Sequence, residues 1–172
     1  YYITSSGGSG KRIQEAVQPV ASPNLSFATF DQKFTYEKDL VNVGKVGRRW
    51  FGEQFNINPS QSFTFEFPNL ITSEPIIAKI NLASKSFGNT SFAIRANNQS
   101  IGSVSFLALA SGSGIEGFES ALNTSFTASS STITIDLEYT NGGVPSSNGY
   151  LDFIQLNVKR NLTGYGKQFE FY

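Results

Sequence analysis

The chain has 172 residues, its 13 Lys and Arg are balanced by 13 Asp and Glu, and it contains neither Cys nor His. Without a thiol or an imidazole, Cys–His and Ser–His–Asp nucleophilic catalysis are both excluded, and zinc loses its commonest ligands. A net charge of zero offers no field to attract nucleic acid or an anionic membrane, and no run approaches the roughly 20 apolar residues of a membrane-spanning helix.

Charged residues make up only 15% of the chain, so Ser, Thr, Asn and Gly must supply most of the polar surface, while 14% aromatics, mostly Phe, suit sheet faces that pack together. In chain order, Tyr1–Thr4 reads as a short aromatic strand that opens into the Gly/Ser connector SSGGSGKR. Lys11–Gln18 has room for one or two helical turns before Pro19 and Pro23 stop it. Residues 1–24 are thus expected to be an N-terminal strand and connector, and Leu25–Phe30 is extended. Phe34–Phe55 is broken by Gly44, Gly47 and Gly52, which argues against a long helix. Gln61–Phe67 shows the clearest period: Phe63, Phe65 and Phe67 on one face, Thr64 and Glu66 on the other.

The second half continues in the same manner. Pro75–Leu82 places Ile76, Ile80 and Leu82 opposite Ile77 and Lys79. Ser91–Ala96 and Ser100–Ala110 are predicted to pair through a tight turn at Asn97–Asn98–Gln99. Gly112–Gly117 reads as a loop. Ile133, Ile135, Leu137 and Tyr139 alternate with Thr134, Asp136 and Glu138, and Asn141–Gly149 is a second loop. Tyr150–Lys159 is apolar on both faces, with Leu151 and Phe153 against Ile154, Leu156 and Val158, as expected of a central, covered strand. Lys167–Phe171 ends the chain as a short strand. Many strands at this spacing without long helices predict an all-β, two-sheet antiparallel β-sandwich of jelly-roll type over residues 1–172. Because Tyr1 is not a translation start, the chain is expected to be a piece of a longer protein.

Four features invite sharper readings. Gly112, Gly114 and Gly117 spell a dinucleotide-binding string, but that motif works between a strand and a helix, and here it lies between strands. Asp136, Glu138 and Asn141 could offer oxygens to a structural calcium, though solvated carboxylates explain them equally well. No other cofactor is expected. Trp50, Tyr36 and Tyr139 could form a stacking platform for sugar rings. A lone Trp in a dense apolar cluster is more often core, and burial of Trp50, framed by Arg48, Arg49 and Glu53, is the expectation. Five Asn-x-Ser/Thr triplets, at Asn24, Asn89, Asn98, Asn123 and Asn161, follow from the Ser/Thr/Asn-rich composition.

The block Phe34–Phe55, FTYEKDLVNVGKVGRRWFGEQF, resembles the region preceding the peptidase domain in the gingipain-like cysteine peptidases that act as sortases of the bacterial type IX secretion system, the PorU-type sortases. The resemblance extends to YYITSSGGSGKRI at 1–13 and to GYLDFIQLNVKRNLTGYGKQFEF at 149–171. It implies a non-catalytic β region of a cell-surface protein, held at the outer membrane of Bacteroidetes-type bacteria. The catalytic Cys and His of such a protein would lie in the following peptidase domain. The partners implied are that domain, cargo proteins and other secretion-system components, and Arg48, Arg49, Trp50 and Glu53 are the candidate contacts. The alternatives are a carbohydrate-binding or ligand-binding jelly roll and a structural adhesin-type spacer.

Overall fold

The computed structural model describes residues 26–45, 47, 49–112 and 114–164. The strands expected at Tyr1–Thr4 and Lys167–Phe171, the turns at Lys11–Gln18, the triplet at Asn24 and the contact residue Arg48 lie outside the described residues.

Nine strands and no helix occur among the described residues: β1 Thr29–Glu37, β2 Gln54–Phe55, β3 Ser60–Glu66, β4 Ile76–Lys85, β5 Thr90–Ala96, β6 Gln99–Phe106, β7 Phe118–Phe126, β8 Thr132–Thr140 and β9 Asn148–Asn161. The alternation read from the sequence is what sets their faces. In β3, Phe63 and Phe65 are buried, as is Phe67 just beyond, and in β8 Ile133, Ile135, Leu137 and Tyr139 meet them from the adjoining strand. Outside, the same pairing is held by polar cross-strand bonds: Ser62 Oγ donates to Asp136 Oδ1 at 2.5 Å, and the Thr64 and Thr134 hydroxyls lie 3.1 Å apart.

One sheet has the order β1-β9-β4-β7, with β2 also on β9, and the other has the order β3-β8-β5-β6. Every pairing is antiparallel. The hairpin β5–β6 lies innermost in the chain; β4–β7, β3–β8 and β1–β9 enclose it in turn, which is the nested pairing of a jelly roll. The core lies between the sheets, where Phe55, Phe67, Ile80, Leu82, Phe92, Ile94, Leu151 and Ile154 are almost wholly buried. The β5–β6 turn is at Asn97 and Asn98, both with positive φ (47° and 68°), the pattern of a two-residue hairpin loop that Asn tolerates.

Three details differ from the sequence reading. β7 was not expected: FESALNTSF lacks a strict apolar face because it is an edge strand, largely half-buried. β6 stops at Phe106, leaving residues 107–110 in the following connection. The faces of β9 also change partway along. Leu82 pairs with Leu151 but Asn81 with Phe153, so Asp152 is the extra residue of a β-bulge. That insertion brings Leu151 onto the same inner face as Ile154 and Leu156, and Leu151 is not grouped with Phe153 as strict alternation would place it.

Candidate functional site

The edge of β9 is covered by two strands in succession. β1 pairs along it as far as Glu37, opposite Phe153, and there the chain leaves the sheet. It returns at Gly52, whose N–H donates to Leu151 O at 2.7 Å; Leu151 N then donates to Glu53 O at 2.9 Å, and β2 resumes the ladder with Gln54 opposite Tyr150. Between these points, the described residues of 38–51 form a strap over the outer face of the five-stranded sheet. The strap closes on itself through reciprocal bonds between Val41 and Phe51, both 2.8 Å, and turns through Lys45 and Gly47 at φ 51° and 82°. The glycines noted in the sequence serve this turn and the tight return. A Cβ at Gly52 would sit 3.2 Å from Lys38 O and 3.3 Å from Leu151 O.

Below the strap lies a second, small apolar core made of Phe51, Ala83 and Tyr150, with Val41 and Val43 packed against it. A hollow of about 180 Å³ opens beside it between Val43, Phe51 and Tyr150, rimmed by Arg49, Glu119 and the ion pair of Lys85 with Glu116. Burial pushes the Tyr150 phenol above its ordinary range.

Two polar latches hold the strap down. In the first, Arg49 grips Glu119 of β7 with both arms of its guanidinium, Nε to Oε1 at 2.8 Å and Nη2 to Oε2 at 2.5 Å, and Nη2 also reaches Asp152 Oδ2 at 2.7 Å. Asp152 is the bulge residue, 3% exposed, and it accepts a further bond from Asn81 Nδ2 at 2.7 Å. Hydrogen bonding to Glu119 raises the Arg49 pKa above its ordinary value, with the Asp152 charge adding to it against the effect of burial. The second latch joins the two ends of the strap: Tyr36 Oη donates to Glu53 Oε1 at 2.5 Å, and Lys38 Nζ donates to the same oxygen at 3.0 Å. Burial alone would push Glu53 up, but these two donors outweigh it and its carboxyl is held below the usual range. Burial, and then the bond to Glu53, raises the Tyr36 pKa.

Of the expected contact residues, Arg49, Trp50 and Glu53 are described, and they part company here. Arg49 and Glu53 belong to separate latches, and neither frames Trp50. Trp50 is not core: it is 44% exposed, as is Leu40 at 58%, while its neighbour Phe51 is 4% exposed. Adjacent residues of an extended segment point to opposite sides. Phe51 takes the inner position, over Ala83 and Tyr150, and the Arg49 guanidinium lies 5.1 Å from its ring centroid. The proposed sugar platform is not assembled either. Tyr139 is buried and shares a hydrogen-bonding distance of 3.0 Å with Ser84, while Tyr36 packs against Phe63 and Phe65.

The oxygens considered for calcium are spent separately: Asp136 accepts from Ser62, Glu138 lies 3.9 Å from Arg95, and Asn141 accepts from Gly143 N. Among the described residues no group of three or more His, Cys, Asp or Glu side chains converges. Gly112, Gly114 and Gly117 lie in the β6–β7 connection. The sequence reading missed Asp152 and Glu119, the carboxylates that receive Arg49. For Asp152 a signal existed, since it is a lone charge within the apolar run Leu151–Ile154.

No protein-family model matches the chain, and no curated protein sequence is significantly similar to it. Solved structures resemble it to differing degrees. Dimeric latent PorU from Porphyromonas gingivalis matches with a TM-score of 0.68 and 22% identity, covering 83% of this chain. The chain spans only 14% of the length of that protein. A CBM36 carbohydrate-binding module, solved with calcium and xylotriose, matches at a TM-score of 0.45 and 18% identity over 73% of this chain and 98% of the module. A family 35 module from Clostridium thermocellum gives 0.42 and 12%, over 73% and 90%.

Proposed function

We propose that this chain is a non-catalytic β-sandwich of a cell-surface type IX secretion sortase, and that it supports and orients a neighbouring peptidase domain through the strap. The observation that carries this reading is the fate of Phe34–Phe55, the stretch with the sequence resemblance. It folds into a doubly latched strap that holds Trp50 and Leu40 out from the sheet. Aromatic side chains fixed on a rigid base are the usual anchors of an interface. The latches spare such a contact the cost of ordering the segment on docking. The likeness of fold to PorU over 83% of the chain supports the same reading. A chain spanning 14% of such a protein, without Cys or His, leaves the chemistry to another part of the parent. Cargo and other secretion components at the bacterial surface are the further partners this reading implies.

Hydrogen exchange tests it. In the full-length gene product, amides of residues 38–51 should exchange more slowly than in the 172-residue chain alone, and Trp50→Ala should abolish the difference. Equal exchange in the two would show that nothing docks on the strap.

A further inference from the structure

β1 ends the five-stranded sheet: β9 holds one side of it and, among the described residues, no strand pairs with the other. The opposite end of the sheet is not open in this way, because β7 leans on β6 of the second sheet, where Thr124 Oγ1 donates to Ile101 O at 3.2 Å. The β1 edge lacks the usual protections. Thr29–Glu37 contains neither Pro nor Gly, and its register with β9 runs unbroken over nine residues. The bonds at its foot show which backbone groups it offers. Leu162 N donates to Ala28 O at 2.8 Å, whereas Asn161 N donates to Asn69 O and Ile71 N to Lys159 O, on the far side of β9. Bonded and unbonded positions alternate along an antiparallel ladder. The even-numbered residues of β1 are therefore spent on β9, and Thr29, Asp31, Lys33 and Thr35 turn their N–H and C=O groups outward.

The sequence of this edge is self-complementary. Thr29-Phe30-Asp31-Gln32-Lys33-Phe34-Thr35 reads the same from either end, except that Asp31 mirrors Lys33. We infer that two copies of this chain pair through β1, antiparallel about a two-fold axis at Gln32, and so join their five-stranded sheets into one. In that register Asp31 of each copy stands opposite Lys33 of the other, Thr29 opposite Thr35 and Phe30 opposite Phe34. Backbone geometry is the first argument. The pairs 29–35 and 31–33 match outward-facing residues with outward-facing ones, so each pair exchanges two hydrogen bonds. Charge is the second, and it selects the register. Asp31 and Lys33 are exposed, and among the described residues neither has an ion-pair partner. An axis at residue 31 or 33 would set Asp31 or Lys33 against its own copy, which is destabilising, whereas the axis at Gln32 matches both charges. The third argument is Phe34, which is 37% exposed and packs on Phe65 and Phe67 at the rim of the core. Residues 30 and 34 fall at unbonded positions, where facing side chains approach closest, so pairing covers the open side of this ring. The contact uses up the same edge on both copies, and assembly closes at the dimer.

Sedimentation equilibrium of the 172-residue chain tests the inference, and a monomer–dimer equilibrium is expected. Asp31→Lys alone, or Lys33→Asp alone, should weaken the dimer about tenfold or more, because like charges then face each other. The two substitutions together should restore it, since the charges are exchanged but still matched. Both positions are exposed, so the fold should be retained in all three variants. Thr35→Pro removes an outward N–H and none that bonds β9; it should also abolish pairing, and it serves if a charge reversal misfolds. A chain that stays monomeric at its highest soluble concentration would overturn the inference. So would a dimer that survives both single reversals, or one that the double exchange fails to restore.

Discussion

Trp50 and Phe51 are neighbours with opposite fates, one 44% exposed and the other 4%. The Phe51 ring sits over Ala83 and Tyr150, with the Arg49 guanidinium 5.1 Å from its centroid. Trp50→Ala should therefore change stability by no more than about 0.5 kcal/mol, as for other exposed positions. Phe51→Ala should cost about 3–5 kcal/mol, the usual loss for truncating a buried aromatic. Urea unfolding of the two variants decides it, and a large loss for Trp50→Ala with little for Phe51→Ala would reverse the assignment. At this scale the sequence is least legible. The string Arg49-Trp50-Phe51 announces a cluster, yet which ring turns inward depends on Ala83 and Tyr150, far away in the chain. Likewise, nothing local to Arg49 identifies Glu119 and Asp152 as its partners.

Among the elements, strands with a clean apolar face, or with an unbroken apolar run as in β9, were legible and β7 was not. β3 and β8 follow from alternation because each has a single side to bury. β7, at a sheet edge, has little to bury and so leaves a weak pattern. The strap has no period, because its shape comes from one turn, two latches and the face beneath it. Those latches make it sensitive to pH. Glu53 has a folded pKa below its ordinary 4.5, so its contribution is complete above that value and is lost as pH falls through the folded pKa. Tyr36 is shifted upward from 10.0, so its share is complete below 10 and is lost as pH rises through the raised pKa. Amides of residues 38–51 should accordingly lose protection, relative to β3 and β8, as pH falls below the ordinary carboxylate range and through the lowered Glu53 pKa. Glu53→Gln should remove that acid limb. An acid limb that is unchanged in Glu53→Gln would place its origin in other carboxylates.

For the molecule as a whole, the jelly roll places β9 inside one sheet, between β1 and β4, and at Gly149 side chains of the other sheet press against it. A Cβ built there would lie 2.5 Å from Phe92 Cζ and 2.7 Å from Tyr139 Cδ2, side chains of two strands in the opposite sheet. Gly149→Ala should therefore lower stability by about 1–3 kcal/mol through overpacking, seen as a lower melting temperature with one transition retained. An unchanged melting temperature would mean that the two sheets can part to admit a methyl group. The strap obeys a different rule. Its feet, Glu37 and Gly52, stand on nearly adjacent rungs of the same β9 edge, so β1 and β2 are two halves of one strand with residues 38–51 spliced into it. The ladder runs past the splice on either side, and among the described residues none of the core between the sheets comes from within it. The excursion is thus a cassette in an edge strand: its length and its outward side chains can change while the geometry of the roll beneath stays the same.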